Sequence, residues 1–376
     1  MGIVTAASLR LPASVGRRDV NVPDTARNAA FDAAYDHDTL FYDAIALPRG
    51  AALVGPSLLN LRALVEGAQM SLDGKPARIR RITSRRRSDE IYLRGPGAAQ
   101  NLSIRIGTFQ TDLPLTQPDT AAFAGLNCSV IFNKNNDPEG IADFARFHQH
   151  HHGLQGLVVV DNGSDAYPLD DIAAALDPVG LTQWRVLSIP TSWGALAEGG
   201  HVNDALFFQT AGLNIARLRF LSRARAVLVC DLDELVLPHA DGHSVFDLAR
   251  RRFWGFTPVR GQNCYPGPDA QGRLRHRDHT HRPTQARPPS TKYCINPRGL
   301  LRGVGWEVHK PDFISVDKAM DDRGMRFAHC LGISNGWKNP GRAHGHTDIA
   351  LDADLAAAMT AAFGTATTLS PPPPLD

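Results

Sequence analysis

Two carboxylates one residue apart, Asp231 and Asp233, follow directly on the apolar run Ala226–Cys230, and Glu234 comes next. Side chains two apart leave a strand on one side, so both can reach one hard cation, directly or through water. Oxygen donors of this kind select Mg²⁺ or Mn²⁺, and a diphosphate would complete the shell. A cation placed there stabilises negative charge on a leaving nucleoside diphosphate. Acidic pairs also stand in exposed turns with no chemistry attached. The buried strand ahead of this pair favours the metal reading.

Two further segments repeat the arrangement. Asn133-Lys134-Asn135-Asn136-Asp137 follows the apolar run Cys128–Asn133, and Asp161-Asn162-Gly163-Ser164-Asp165 follows Leu157–Val160. In an open parallel sheet, ligands bind beyond the carboxyl ends of the strands, so three polar strand ends define one candidate cleft. A later segment, Trp306-Glu307-Val308-His309-Lys310, adds more chemistry. His309 is a candidate metal ligand, and Lys310 a candidate partner for a diphosphate. Glu307 is a candidate general base for an acceptor hydroxyl. Glu234, Asp204 and Glu198 compete for the base role, and Glu234 also suits a bracing role in the turn. His329 is as good a metal candidate as His309. For both histidines the alternative is a satisfied place in the core.

These groups need a scaffold. The runs at Cys128–Asn133, Leu157–Val160, Trp184–Ile189 and Ala226–Cys230 read as buried parallel strands. Helices are expected at Pro138–His152, Pro168–Leu176 and Val202–Leu221. Pro138 suits the first turn and Gly153 the stop. The alternation implies right-handed crossovers and a parallel sheet covered on both faces. Ser244–Arg252 reads as a helix, Gly255–Arg260 as a strand, Gly267–Pro297 as a loop-rich basic insertion and Asp352–Phe363 as a terminal helix. Upstream, residues 1–30 read as loosely ordered. From Phe41 to Leu115, short alternating runs punctuated by turn signals read as a small β-sandwich-like domain. Thr111–Gly125 reads as a linker. The domain division is therefore 1–125, 126–345 and 346–376, the last a helix and a Pro-rich tail, Pro371–Pro374.

Residues 128–337 resemble a GT-A glycosyltransferase domain of the family 2-like branch related to family 92. The resemblance lies in Lys134-Asn135-Asn136, Phe147-His148 with Gly153, Asp161-Asn162-Gly163-Ser164-Asp165 and Asp231-Leu232-Asp233-Glu234. A looser match follows at Lys292, Pro297, His309 and His329. It implies an α/β fold with a mostly parallel, Rossmann-like sheet and sugar transfer from a nucleotide-sugar donor to a glycan or glycolipid acceptor. It also implies that Asn133, Asn135, Asp161, Asp165 and Asp231 line the donor pocket and that Asp231 and Asp233 hold the metal. The usual Glu of the first motif is Asn136 here, which leaves Asp137 as a substitute carboxylate.

The remaining features bound the reading. The chain has 376 residues, 43% hydrophobic and 21% charged, with a formal net charge of +2, so no overall polyanion-binding signal exists and nucleic acid is not an expected partner. Five widely spaced cysteines fit reduced thiols in a cytoplasmic protein. No apolar stretch is long enough for a membrane span and no signal-peptide pattern opens the chain, so membrane contact is at most peripheral. His148, His150, His151 and His152 read as a helix terminus, where histidines suit the negative dipole end, and not as a metal site. His276, His279 and His281, among Arg273, Arg275, Arg277, Arg282 and Arg287, read as a solvated loop or an anion-binding flap. Phe207-Phe208 and Phe253-Trp254 read as core, and Trp193 as either packing or a sugar-stacking ring. Gly199-Gly200-His201-Val202-Asn203 is a weak phosphate-binding turn. Three functions compete: a metal-dependent glycosyltransferase, a degenerate domain that binds nucleotide or glycan without turnover, and a metal-dependent phosphoester hydrolase.

Overall fold

The computed structural model describes residues 1–201, 204–285, 291–314, 325–334 and 348–364. Val202, Asn203, Arg287, Trp337 and the Pro371–Pro374 tail lie outside them.

The expected parallel series forms half of a larger sheet. Ile3–Thr5, Gln183–Ser188, Gly156–Asp161, Asn127–Asn133 and Ala226–Val229 lie side by side in that order, all parallel. The helices that connect them run over Pro138–His152, Leu169–Leu176 and Phe207–Arg219. Gly153 ends the first of these in a left-handed conformation, with φ of 66°.

The sheet as a whole is mixed, which corrects the mostly parallel, Rossmann-like expectation. Lys292–Ile295 runs antiparallel to Ala226–Val229, with Val229 opposite Tyr293. Phe256–Pro266 runs antiparallel to Lys292–Ile295, and His279–Pro283 and Ile349–Leu351 continue antiparallel beyond it. Arg326–Cys330 joins parallel to Phe256–Pro266 and pairs antiparallel with Glu234–Val236, for eleven strands in all. The segment 267–297, expected to be loop, thus supplies a central strand. Its four residues are all buried, too few for a periodic pattern to register, and the first is a lysine.

Strand alternation sorts the core onto two faces. Ile131, Leu157, Val159 and Val186 pack under the helices Pro138–His152, Leu169–Leu176, Val245–Arg251 and Ala353–Phe363. Val130, Phe132, Val158 and Val160 pack under Phe208, Ala211 and Leu213 of the Phe207–Arg219 helix. Tyr42, Ile45 and Val54 of the upstream region join this second cluster, so the two regions share a core.

The upstream region is built on one seven-stranded antiparallel sheet, with a two-stranded pair, Leu9–Arg10 and Thr39–Phe41, beside it, and not on two facing sheets of a sandwich. Its order is Phe109–Pro114, Asn101–Ile106, Gln69–Leu72, Lys75–Ser84, Asp89–Arg94, Gly50–Gly55, Asp43–Leu47. Phe109–Pro114 covers the start of the expected linker. The first thirty residues, expected to be loosely ordered, are tied into the fold: Ile3–Thr5 edges the large sheet, and the buried Arg18 donates to the carbonyls of Ser57, Asp36 and Thr39.

Buried ion pairs fasten the two regions. Arg219 meets Asp43 at 3.2 Å, and Arg217 meets Glu90 at 3.0 Å. Arg85 also pairs with Glu90, at 3.1 Å, and reaches Asp312. Among the described residues, no helix is long and apolar enough to cross a membrane.

Candidate functional site

The strands Asn127–Asn133, Gly156–Asp161 and Ala226–Val229 end on one edge of the sheet, with Asn133 opposite Asp161 and Val130 opposite Val229. Asp231, Asp233 and Glu234 make the turn that leaves the third strand. The Asp231 amide donates to Glu234 Oε2 at 2.7 Å, and the Glu234 amide donates to the Asp231 carbonyl at 3.1 Å. Glu234 then enters the Glu234–Val236 strand opposite His329. That register sets His329 Nε2 3.4 Å from Asp233 Oδ2, which also accepts from Ser334 Oγ at 2.8 Å. Burial works to raise the Asp233 pKa, but His329 and Ser334 outweigh it and hold the carboxyl well below its ordinary range.

Lys292 is the cation of this site. The antiparallel register beside Val229 brings its Nζ 2.7 Å from Asp231 Oδ2 and 3.3 Å from Glu234 Oε2. Burial opposes its charge, yet the two carboxylates raise its pKa above the ordinary value, so it stays an ammonium. Glu234 is fully enclosed. Burial, only partly offset by Lys292, pushes its carboxyl up to about 7.

The late segment closes on the same place. His309 Nδ1 lies 3.2 Å from the carbonyl of Thr291, the neighbour of Lys292. Burial and then the Lys292 ammonium lower the His309 pKa. The Glu307 amide donates to the Lys310 carbonyl at 3.1 Å, a tight turn that leaves Lys310 exposed. Tyr293 donates to the Glu307 carbonyl at 2.9 Å. The Glu307 Oε2 accepts from Thr210 Oγ1 at 3.1 Å and lies 3.3 Å from Arg87 Nη2, while its Oε1 is buried with no partner among the described residues. The rival bases are engaged elsewhere. Asp204 is paired with Arg86 and His201, and Glu198 accepts from Asn28.

At the first two strand ends, Asn133 and Asp161 are buried. Asn133 Nδ2 donates to Asp161 Oδ1 at 2.7 Å, and Ser164 bonds the same carboxylate through its amide, at 2.9 Å, and its hydroxyl. They brace the loop, while Lys134, Asn135 and Asp165 form its outer edge. Asn135, with φ of 56°, donates to Asp165 Oδ1 at 2.7 Å, and the Asp165 pKa is lowered by that bond and then by Lys134. Asn136 is buried and donates to Asn133 Oδ1 at 3.1 Å, so an amide suits a place where a carboxylate would add charge beside Asp161. Asp137 does not stand in for it. It caps the Pro138–His152 helix by accepting from Glu139 and pairs with Arg273 at 2.9 Å.

The expected metal set divides into two. Asp233 meets His329, whereas Asp231 is held by Lys292 near His309. Among the described residues no three His, Cys, Asp or Glu side chains close on one point. Asp233 and His329 remain a fitting pair for Mn²⁺ or Mg²⁺ with phosphate and water oxygens as the other ligands.

The histidine clusters are structural. His148 Nε2 accepts from the Val236 amide at 3.1 Å, and His152 Nε2 donates to the Val236 carbonyl at 2.7 Å, so both support the strand behind Asp233. His276 Nε2 donates to Leu232 O at 3.0 Å and His279 Nε2 to Leu331 O at 2.8 Å. The second pair, expected in a solvated loop or a flap, is buried beneath the acidic turn. Trp193 packs on Phe132 and Phe208. Phe207 and Phe208 are buried as expected, whereas Phe253 and Trp254 are exposed, which corrects their assignment to the core. Sequence reasoning missed Arg87, Thr210 and Ser334 as supports of the site, since nothing local marks them. No protein-family model matches the chain, and no curated protein is detectably similar to it.

Proposed function

We propose that the chain is a glycosyltransferase that moves a sugar from a nucleotide-sugar donor to a hydroxyl of a glycan or glycolipid acceptor. The observation that carries this is the two pairs Asp233–His329 and Asp231–Lys292 on one acidic turn, which leaves the strand next to the one that ends at Asn133. Asp233 and His329 would hold Mn²⁺ or Mg²⁺, which supplies positive charge to the diphosphate oxygens. Lys310, exposed in its turn, adds positive charge toward the same leaving group, and Lys292 holds the Asp231 carboxylate beside it. Asn135 and Asp165 stand at the outer edge of the donor pocket. Glu307 takes the acceptor hydroxyl proton as the new C–O bond forms and the bond from the anomeric carbon to the diphosphate oxygen breaks. Its buried, unpartnered Oε1 favours it over Glu234, whose carboxylate bonds the Asp231 amide and Lys292. Five buried free thiols support a reducing, cytoplasmic setting.

A second reading is binding without turnover. Lys292 already neutralises Asp231, and Asn136 stands where the resembling group has Glu. Release of nucleoside diphosphate from a panel of uridine, guanosine, adenosine and thymidine diphosphate sugars, with Mn²⁺ and with chelator, separates the two. Transfer predicts Mn²⁺-dependent release from one donor, lost in Asp233→Ala. No release above the chelator control from any donor overturns it.

A further inference from the structure

The end of the large sheet away from the acidic turn carries an apolar patch. Phe253 is 78% exposed, Trp254 58% and Leu300 62%. The helix Val245–Arg251 has ended before Phe253, and Gly255, with φ of 71°, turns the chain so that two aromatic rings stand outward, edge to face at 5.2 Å. The next strand begins immediately at Phe256, which is buried, so the turn is firmly anchored. Asn296 donates its amide to the Gly255 carbonyl at 2.7 Å, and a methyl group at Gly255 would meet Gly299 Cα at 3.6 Å. The two turns therefore abut, and Leu300 extends the aromatic surface while Leu301 faces inward.

The surround of this patch is basic. Arg250, Arg251, Arg298 and Arg302 are exposed around it. Residues 248–268 and 292–306 contain no Asp or Glu. Arg251 contacts the His243 ring and faces Asp247, whereas Arg250, Arg298 and Arg302 make no ion pair among the described residues. Exposed Trp, Phe and Leu next to unneutralised arginines suit a bilayer interface. Amphipathic rings sit at headgroup depth, and each arginine is attracted to an anionic leaflet. A polar protein partner would not need three large apolar side chains, and a self-associating face would bring the arginine rims of two copies together.

We propose that the Phe253–Trp254–Leu300 patch and its arginine rim dock the protein on an anionic membrane surface. Phe256 lies opposite Ile295, and Ile295 opposite Val227, so the turn that carries the patch stands at the end of the sheet where Ala226–Val229 begins, whereas Asp231 follows that strand's other end. The acidic turn thus lies at the other end of the sheet from the docking face. This inference is independent of the reaction assigned above.

The test is sedimentation of the full chain with vesicles of phosphatidylcholine alone or mixed with phosphatidylglycerol. Three variants accompany the wild type: Phe253→Ser with Trp254→Ser, Arg250→Glu with Arg298→Glu, and Asp233→Ala. Light scattering after size exclusion follows oligomeric state. Expected is binding to the anionic vesicles only, weakened by salt, at least about tenfold weaker in both patch variants and unchanged in Asp233→Ala. The patch variants should retain wild-type melting temperatures, since the altered side chains are exposed. No binding by the wild type, or binding that the patch variants share, overturns the proposal. So does an oligomer that the aromatic variant dissolves without any vesicle binding.

Discussion

The Lys292 ammonium lies 2.7 Å from the Asp231 carboxylate, and the Lys292 side chain is 1% exposed. A lysine so enclosed keeps its charge only because carboxylates face it, here Asp231 and Glu234. Lys292→Met should leave Glu234 buried without its cation. We expect a loss of about 3–5 kcal/mol, the range for breaking a buried ion pair by removing one partner. Denaturant unfolding of the purified variant measures it, and a loss under about 1 kcal/mol would mean the pair is solvated.

His148, His152 and His276 should make the protein acid-sensitive. Burial holds His152 and His276 down to about 4 and His148 well below its ordinary value. Each folded pKa lies below the unfolded value of about 6.5, so the unfolded chain binds more protons across that interval. Their contribution is full above about pH 6.5 and is lost as pH falls through about 4. Urea midpoints measured from pH 7 to pH 4 should fall steadily. His152→Gln should be less stable at pH 7 and show a flatter profile.

Glu90 ties the upstream sheet to the larger one through Arg85 and Arg217. Burial raises its pKa, and the two arginines more than reverse that, leaving it lowered. Glu90→Ala should strand two buried guanidinium groups and cost about 3–5 kcal/mol. A non-coincident unfolding transition, with near-ultraviolet and far-ultraviolet circular dichroism separating, would show that the two regions had been uncoupled.

Glu307 should act on the chemical step. With a donor identified, Glu307→Gln should lower kcat by about 10²- to 10⁴-fold while the donor KM changes little. An equal rise in KM with kcat retained would assign Glu307 to acceptor or donor binding.

The parallel half of the large sheet was legible for a physical reason. Strands buried on both faces read as unbroken apolar runs, as at Cys128–Asn133, and the Pro138 start and Gly153 stop bracket the first helix. The antiparallel half was not legible. Lys292–Ile295 opens with a lysine, and whether a lysine is buried depends on a carboxylate 61 positions away. His276 and His279 were misread for the same reason, since their acceptors are carbonyls of Leu232 and Leu331. Phe253 and Trp254 show the converse failure. Apolar type predicted burial, but a helix ending at Arg251 and a left-handed Gly255 turned them outward. In the site itself, the acidic turn was visible as a strand end, whereas the pairing of Asp233 with His329 required the strand register.

The most direct test of the donor site is a thermal-shift titration with uridine, guanosine, adenosine and thymidine diphosphates. Each is measured with Mn²⁺ and with chelator, on the wild type and on Asp233→Ala. A ligand that binds only the folded state stabilises it, by about 2.7 kcal/mol at a hundred times its dissociation constant. The account predicts a Mn²⁺-dependent rise in melting temperature with one diphosphate, abolished in Asp233→Ala. No rise with any diphosphate, or a rise indifferent to both Mn²⁺ and Asp233, would contradict it.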